Sequence, residues 1–442
     1  MELWLLFSAG ALHHICRGCG RWGRLFGLSG RYGVSPQSEL PALTQGLSAA
    51  QRGLLGVLWG ILPQARLVGG VVRDLLAGRR VADIDMAIPL PPEQVMASLR
   101  AAGVVAVPTG LSHGTVTAVV EGQPCEITTL RRDVQTDGRH AVVVWTDDWQ
   151  QDAARRDFTI NALFLDQAGR LYDWFGGQED LRAGCVRFVG DAQSRIEEDS
   201  LRILRFFRFQ ARYGTGEPTS DTLAVIAQRA NLLAGLSVER VWSELRQILA
   251  LPQVMPVMRL MAQAGVLAVI LPEGVALERL AALESCQPPA DVLLRLAALT
   301  KAPAALATRL KLSRAETARL RCIARAGAPD GPLARLKDDD TAPDILRNLL
   351  VDAPPDCLMA GLWLCQAQNP AAAQVFVALR QRLSALDVPV FPLAGRDALA
   401  LGVAPGPAVG KVILQVKQWW RQGGCTASAQ TCRAELARIL GM

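Results

Sequence analysis

Between Leu67 and Ile88 the chain reads Leu-Val-Gly-Gly-Val-Val-Arg-Asp-Leu-Leu-Ala-Gly-Arg-Arg-Val-Ala-Asp-Ile-Asp-Met-Ala-Ile, and no other stretch limits the available folds as much. Apolar Leu67 and Val68 end a short strand, and Gly69-Gly70 allow a tight turn with close backbone approach to a ligand. Val71 to Leu76 reads as the opening turns of a helix, with Gly78 as its C-terminal cap. A helix N-terminus behind two glycines seats phosphate, because its N–H groups and dipole point at the anion. Val81 to Ile88 reads as a second strand, ended by Pro89-Leu90-Pro91-Pro92. On such a strand Asp83 and Asp85 share one face, roughly 6.5–7 Å apart at ~3.3 Å per residue, while Ile84, Met86 and Ile88 turn to a core. Carboxylates so placed can hold divalent cations roughly 3.5–4 Å apart, the spacing of two-metal phosphoryl-transfer sites. Asp-x-Asp on an exposed strand is otherwise a solvated face. The glycine turn and Arg73 close upstream tilt the reading towards a phosphate-and-metal site.

The length of 442 residues suggests two to four domains, and the 50% hydrophobic content marks a globular chain. A formal charge of +6, carried overwhelmingly by Arg, permits a polyanionic partner without demanding one. The 10 cysteines are scattered, which fits a reducing compartment better than a disulfide framework. His13, His14, Cys16 and Cys19 are too compressed to make a good zinc set. Met1 to Ala11 is apolar but too short to span a bilayer and lacks the basic start of a secretory signal. With the Gly- and Arg-rich stretch to Arg31, it reads as a targeting peptide, an extension or a misplaced start. The expected location is cytoplasmic.

Ala42 to Leu62 has helical spacing, and Pro91-Pro92-Glu93 opens another helix running through Leu99-Arg100. Three β-like runs follow, Val104–Val107, Thr115–Val120 and Cys125–Leu130, punctuated by turns at Pro108–Gly110 and Glu121–Pro124. From Ser194 onward helical periodicity dominates, broken by Pro/Gly-rich joints. Asp338-Asp339-Asp340 reads as a solvated helix end.

Glu126, on the third β-run, is either a third carboxylate beside Asp83 and Asp85 or a structural hydrogen-bonding residue. His113 suits an orienting or turn role, since phosphoryl transfer needs chiefly positioning and charge neutralisation. Arg131 to Ala141 is polar and aperiodic and reads as a mobile loop. In Arg155-Arg-Asp-Phe-Thr-Ile-Asn161, Asp157 and Asn161 stand four apart and would share a helical face. Arg156 suits a triphosphate, and the carboxylate and amide suit ribose hydroxyls. Within Glu197 to Phe209, Asp199, Arg202, Arg205 and Arg208 recur every third residue on a strongly helical pattern. That stripe is either a salt-bridged face or a nucleotide platform, its carboxylate–guanidinium pair reading a base edge. A further helix, Ser237 to Leu245, can brace it through Glu239 or Glu244.

Five motifs occur in order: Gly69-Gly-Val-Val-Arg-Asp with Asp83-Ile-Asp, Arg155-Arg-Asp-Phe-Thr-Ile-Asn, Leu171-Tyr-Asp-Trp-Phe-Gly-Gly177, Glu198-Asp-Ser-Leu-Arg-Ile-Leu-Arg205, and more weakly Gly395-Arg-Asp-Ala-Leu with Gly402 to Gly410. Together they resemble the class II tRNA nucleotidyltransferase and bacterial poly(A) polymerase family, the CCA-adding enzymes. The resemblance implies an α+β chain: an N-terminal nucleotidyltransferase head with a mixed β-sheet, followed by an all-α neck, body and tail. The boundaries expected are an extension over 1–41, head over 42–190, neck over 191–250, body over 251–387 and tRNA-contacting tail over 388–442. The same resemblance implies that Asp83 and Asp85 bind Mg²⁺ in a two-metal site. Gly69, Gly70, Arg73 and Arg156 would hold the triphosphate, and Asp157 with Asn161 the ribose. Glu198, Asp199 and Arg202 would select CTP and then ATP by mimicking base pairing, with Arg205 and Arg208 completing the pocket. The partner implied is tRNA, extended by C, C and A without a nucleic-acid template; poly(A) synthesis or partial addition is the nearest rival activity. Ser200 stands where many relatives carry Pro or Ala, leaving the Glu-Asp-x-x-Arg pattern intact. No His follows His140, so the His-Asp phosphohydrolase domain of some relatives is not expected.

Overall fold

The computed structural model describes residues 44–136, 141–334, 336 and 343–442, and the side chains of 133–136 and 141–143 lie outside that description. The extension over 1–41, the His13–Cys19 cluster and the Asp338–Asp340 run fall outside the described residues. The chain divides into two compact units, one ending at Asp191 and the other running from Ala192 to Met442.

The first unit is built on a seven-stranded sheet of order β3-β4-β5-β2-β1-β8-β9. Its strands are β1 (Arg66–Val68), β2 (Asp85–Ile88), β3 (Val105–Gly110), β4 (Thr115–Val120), β5 (Gln123–Thr129), β8 (Phe164–Leu165) and β9 (Leu171–Tyr172). β2 and β5 run parallel and the other pairs antiparallel, so the sheet is mixed as expected. One face, carrying Leu67, Met86, Ile88, Val116 and Ile127, packs into the main core with helices α1 (Ala49–Ile61), α2 (Gly70–Leu76) and α3 (Pro92–Ala101). The period of two along β4 and β5 sets this face: Val116, Ala118, Cys125 and Ile127 are buried while their neighbours are not. α1 begins at a capping box in which Ser48 and Gln51 satisfy each other's backbone N–H. Behind the other face, Val68, Ala87, Phe164 and Val189 form a second, smaller core with Trp149, Tyr172 and Trp174 packed on it.

Several local expectations change. The second strand starts at Asp85, and Asp83 lies in the segment before it. The ladder to β5 begins at the Asp85–Glu126 register, and the other neighbour, β1, is three residues long. Pro108–Gly110 is no turn but the end of β3, where the register shifts between Val107 and Gly110. β3 is an edge strand, where a proline lacking a donor is tolerated. The expected mobile loop from Arg131 to Ala141 is largely a separate two-stranded sheet, β6 (Arg131–Thr136) against β7 (Ala141–Trp145), with 137–140 outside the described residues. The run Val142-Val-Val-Trp145 supplies the strand former that pairs the polar segment.

The second unit is helical. It opens with α6 (Ala192–Glu198), α7 (Leu201–Tyr213), α8 (Ser220–Arg229) and α9 (Val238–Leu249), after α4 (Trp149–Ala154) and α5 (Gly177–Ala183) of the first. Helices from α10 (Met255–Gln263) to α21 (Ala429–Ile439) follow. Two further clusters of buried residues form separate cores, one around Leu346, Leu358 and Leu379, the other around Val416, Trp420 and Leu436. Among the described residues no helix is long and apolar enough to cross a membrane.

Candidate functional site

Gly69 follows β1 with φ +68° and is the N-cap of α2, a conformation that disfavours any side chain. A Cβ at Gly69 would stand 3.3 Å from Arg156 Nη1, and one at Gly70 would stand 3.6 Å from Arg73 Nη2. The glycine turn is therefore flanked by two guanidinium groups. Arg73 is buried, donates from Nη1 to the Asn161 side-chain oxygen and from Nε to Asp74 at 3.1 Å. Asn161 in turn donates from Nδ2 to Asp157 Oδ1 at 2.9 Å, and Asp157 also accepts the Phe158 N–H at 2.9 Å. Asp157 and Asn161 are thus brought together, but not on an α-helical face. Asp157 precedes a 3₁₀ turn over Thr159–Asn161, because Phe158 is held in an extended bridge to Phe188 that no helix could make.

Arg156 is anchored by Asp152, which no motif in the sequence singles out. Asp152, 1% exposed at its side chain, accepts Arg156 Nη2 at 3.0 Å and Arg155 Nε at 2.8 Å. The Arg156 Nε is buried without a hydrogen-bond partner, and the guanidinium lies 5.1 Å from the Phe164 ring. Burial pulls the Arg156 pKa down against the Asp152 charge that raises it.

Asp85 is half-buried, and its pKa is raised to about 6. Burial is the largest cause; the Glu126 and then the Asp83 carboxylate add to it, and Arg156 offsets them in part. The Glu126 and Asp83 charges therefore both act on Asp85, which lies on β2 beside β1 and opposite Glu126 of β5, a charge distribution that a cation relieves. Among the described residues no three His, Cys, Asp or Glu side chains make a ready metal cage. His113 closes a short 3₁₀ turn, and its carbonyl accepts Arg131 Nη1 at 2.7 Å, a turn role.

In the second unit the polar stripe is regrouped. Helix α6 ends at Glu198 and α7 begins at Leu201, so Asp199 lies at the junction rather than on the stripe. There its Oδ1 accepts the Leu201 N–H at 3.1 Å, which caps the start of α7. Its charge partner is Arg240 of α9, at 2.8 and 3.0 Å, not Arg202. Arg202 pairs instead with Glu198 at 2.7 Å. Glu244, buried on α9, takes Arg208 at 2.6 Å and Arg205 at 3.7 Å. Glu244 thus braces α7, and Glu239 pairs with Lys311 at 2.6 Å. Arg240 carried no sequence signal, as it is one more arginine on an amphipathic helix.

The head sequence over residues 65–187 matches the family model described as the poly A polymerase head domain. Residues 217–277 match a probable RNA and SrmB-binding site of polymerase A. The human protein CCA tRNA nucleotidyltransferase 1, mitochondrial, is 34% identical over 414 residues, covering 91% of this chain and 93% of its own. The chain belongs to the CCA tRNA nucleotidyltransferase family. A bacterial member, the CCA-adding enzyme of Geobacillus thermodenitrificans, is 39% identical over 204 residues, 46% of this chain and 49% of that one. The solved CCA-adding enzyme of Bacillus stearothermophilus in complex with CTP superposes with a TM-score of 0.70 at 27% identity, over 89% of this chain and 98% of its own. Within this family frame the motif Leu171–Gly177 gains a physical account. Asp173, buried, accepts the N–H groups of Phe175, Gly176, Gly177 and Gln178 and so caps α5. Gly177 lets α5 approach the Thr159–Asn161 turn, where a Cβ would fall 2.2 Å from the Thr159 carbonyl oxygen.

Proposed function

We infer that this protein is a CCA tRNA nucleotidyltransferase that adds C, C and A to tRNA 3′ ends from CTP and ATP without a nucleic-acid template. The observation carrying this is Asp85 on β2, next to the end of β1 and the Gly69–Gly70 turn and under the charges of Glu126 and Asp83, in a chain alignable almost end to end with a named family member. In the reaction the tRNA 3′-hydroxyl oxygen bonds to the α-phosphorus of the nucleotide, the bond to the pyrophosphate breaks, and pyrophosphate leaves. Nucleotidyltransferases of this family use divalent metals, and we propose Mg²⁺ held by Asp83 and Asp85. When bound, the ion supplies charge to the attacking and leaving oxygens.

The residues of the chain do the positioning. Gly69 and Gly70 let phosphate approach the start of α2, and Arg156 offers it a guanidinium. Arg73 holds Asn161, which holds Asp157, so amide and carboxylate present a fixed pair to the ribose hydroxyls. Glu198, Asp199 and Arg202 supply acceptor and donor edges for the base, Asp199 being steadied by Arg240, and Arg205 and Arg208 by Glu244. A cytoplasmic setting is our reading from thiols that are all free among the described residues; the human relative's name places that protein in mitochondria.

Poly(A) synthesis is the second reading, favoured by the description of the matching head model. One assay separates them. The protein is incubated with Mg²⁺, CTP and ATP, singly and together, and tRNAs ending before, within or after CCA. The expected products stop at a single terminal A, and Asp83→Ala and Asp85→Ala yield none. Growth beyond that A establishes poly(A) synthesis, and no incorporation by the unaltered protein overturns the enzyme reading.

A further inference from the structure

Arg66, the first residue of β1, is held between two aromatic faces. Its guanidinium carbon lies 3.8 Å from the Trp149 ring centroid and 3.7 Å from that of Tyr172. Tyr172 stacks in turn on Trp174, with centroids 6.0 Å apart and rings inclined by 25°. The four side chains form a ladder on the face of the sheet opposite the main core, all half-buried. A guanidinium clamped on both faces keeps only its edge for hydrogen bonding, and that edge carries five N–H donors in one plane.

No internal acceptor serves that edge. The nearby carboxylate, Asp166, is already saturated. Its Oδ1 accepts the backbone N–H groups of Ala168 and Arg170, both at 2.9 Å, and its Oδ2 accepts Arg170 Nε at 2.8 Å and the Tyr172 hydroxyl at 3.0 Å. Asp166 acts on Arg66 only through its charge, and among the described residues no hydrogen bond or ion pair of the Arg66 side chain is found. Arg170 is close enough to repel Arg66, so two guanidinium groups share one carboxylate and the local balance is positive. None of its donors is among the buried unpartnered atoms, so the edge is reached from solvent and can take an external partner. A planar, preorganised fork with surplus positive charge favours an oxyanion, carboxylate or phosphate, that accepts two parallel N–H bonds.

We propose that Arg66, clamped by Trp149 and Tyr172, binds a backbone phosphodiester of the tRNA substrate. This rests on the reading of the chain as a tRNA nucleotidyltransferase, which makes RNA phosphate the oxyanion presented to the head. The contact is sequence-independent and adds to affinity for tRNA rather than for the nucleotide being added.

The test uses the full chain, with Arg66→Met to keep the bulk and apolar stacking of the side chain and Arg66→Lys to keep charge without the fork. tRNA affinity is measured across a salt series, with separate KM values for tRNA, CTP and ATP and a melting curve for each variant. The expected result is about tenfold weaker tRNA binding for Arg66→Met, a slope of log K against log salt shallower by about 0.7–0.9, a raised KM for tRNA and no rise for CTP. Arg66→Lys should recover the salt slope but only part of the affinity. An unchanged salt slope and tRNA KM, with or without a lower melting temperature, makes Arg66 structural and overturns the proposal. A rise in KM for CTP or ATP instead of tRNA assigns the anion to the nucleotide and likewise overturns it. Either failure leaves nucleotide addition by the unaltered protein intact; loss of the underlying reading would show as no addition by that protein.

Discussion

Replacing Asp152 by Asn isolates what a buried carboxylate does for Arg156, the arginine we propose meets phosphate. Asp152 sits in α4 with its side chain 1% exposed, between Arg155 and Arg156, whose side chains are 16% and 18% exposed. It also accepts the Arg131 backbone N–H at 3.2 Å. Asparagine keeps the shape, but it removes the charge offsetting two guanidinium groups and turns an amide donor towards donors. Breaking a buried pair from one side costs about 3–5 kcal/mol, and the partial exposure of both arginines places this case near about 3 kcal/mol. With an m-value of about 2 kcal/mol/M in urea, the midpoint for the first unit falls by about 1.5 M. Because Arg156 loses its anchor, KM for CTP and ATP should rise as well. The pH dependence has a definite sign. Burial pushes the Asp152 pKa up, but the charges and hydrogen bonds of Arg156 and Arg155 outweigh it and hold it below the usual carboxylate range. A carboxylate depressed in the folded state stabilises fully above its unfolded pKa of about 3.9, and that stability is lost as pH falls through the folded value. The gap between the two proteins should therefore be constant from neutral pH to about pH 5 and close at lower pH. A midpoint shift below about 0.3 M at neutral pH, or a gap that widens in acid, refutes the account.

Gly177→Ala should destabilise the first unit by about 1–3 kcal/mol and raise KM for both nucleotides, because the Thr159 carbonyl 2.2 Å from the new Cβ must move and Asn161 lies on the same turn; urea midpoints and initial rates read both effects. Glu244→Ala strands Arg208, 13% exposed at its side chain, without its acceptor, and should lower the stability of the second unit by about 3 kcal/mol. Glu244→Gln, which still accepts from Arg208, should lose less, and equal losses by denaturation would show that the charge is what matters.

Short-range chemistry was legible in the sequence. The glycine turn, the helix behind it, the alternation in Thr115–Val120 and the helical half from Ser194 follow from backbone sterics and the periods of two and 3.6, which neighbouring residues carry by themselves. So does family membership, since five ordered motifs outweigh any single one. Tertiary structure decided which charge meets which. Asp199 lies in register with Arg202 along the chain, yet a break between α6 and α7 hands it to Arg240, 41 residues away. Asp157 and Asn161 are partners through a 3₁₀ turn pinned by Phe188, not through a helix. Asp83 lies outside the strand because β1 ends at Val68 and the ladder to β5 begins only at Asp85–Glu126. Asp152, Arg240 and the Arg66 clamp had no local pattern at all, because a buried ion pair or a stacked guanidinium is fixed by groups the fold brings from distant positions.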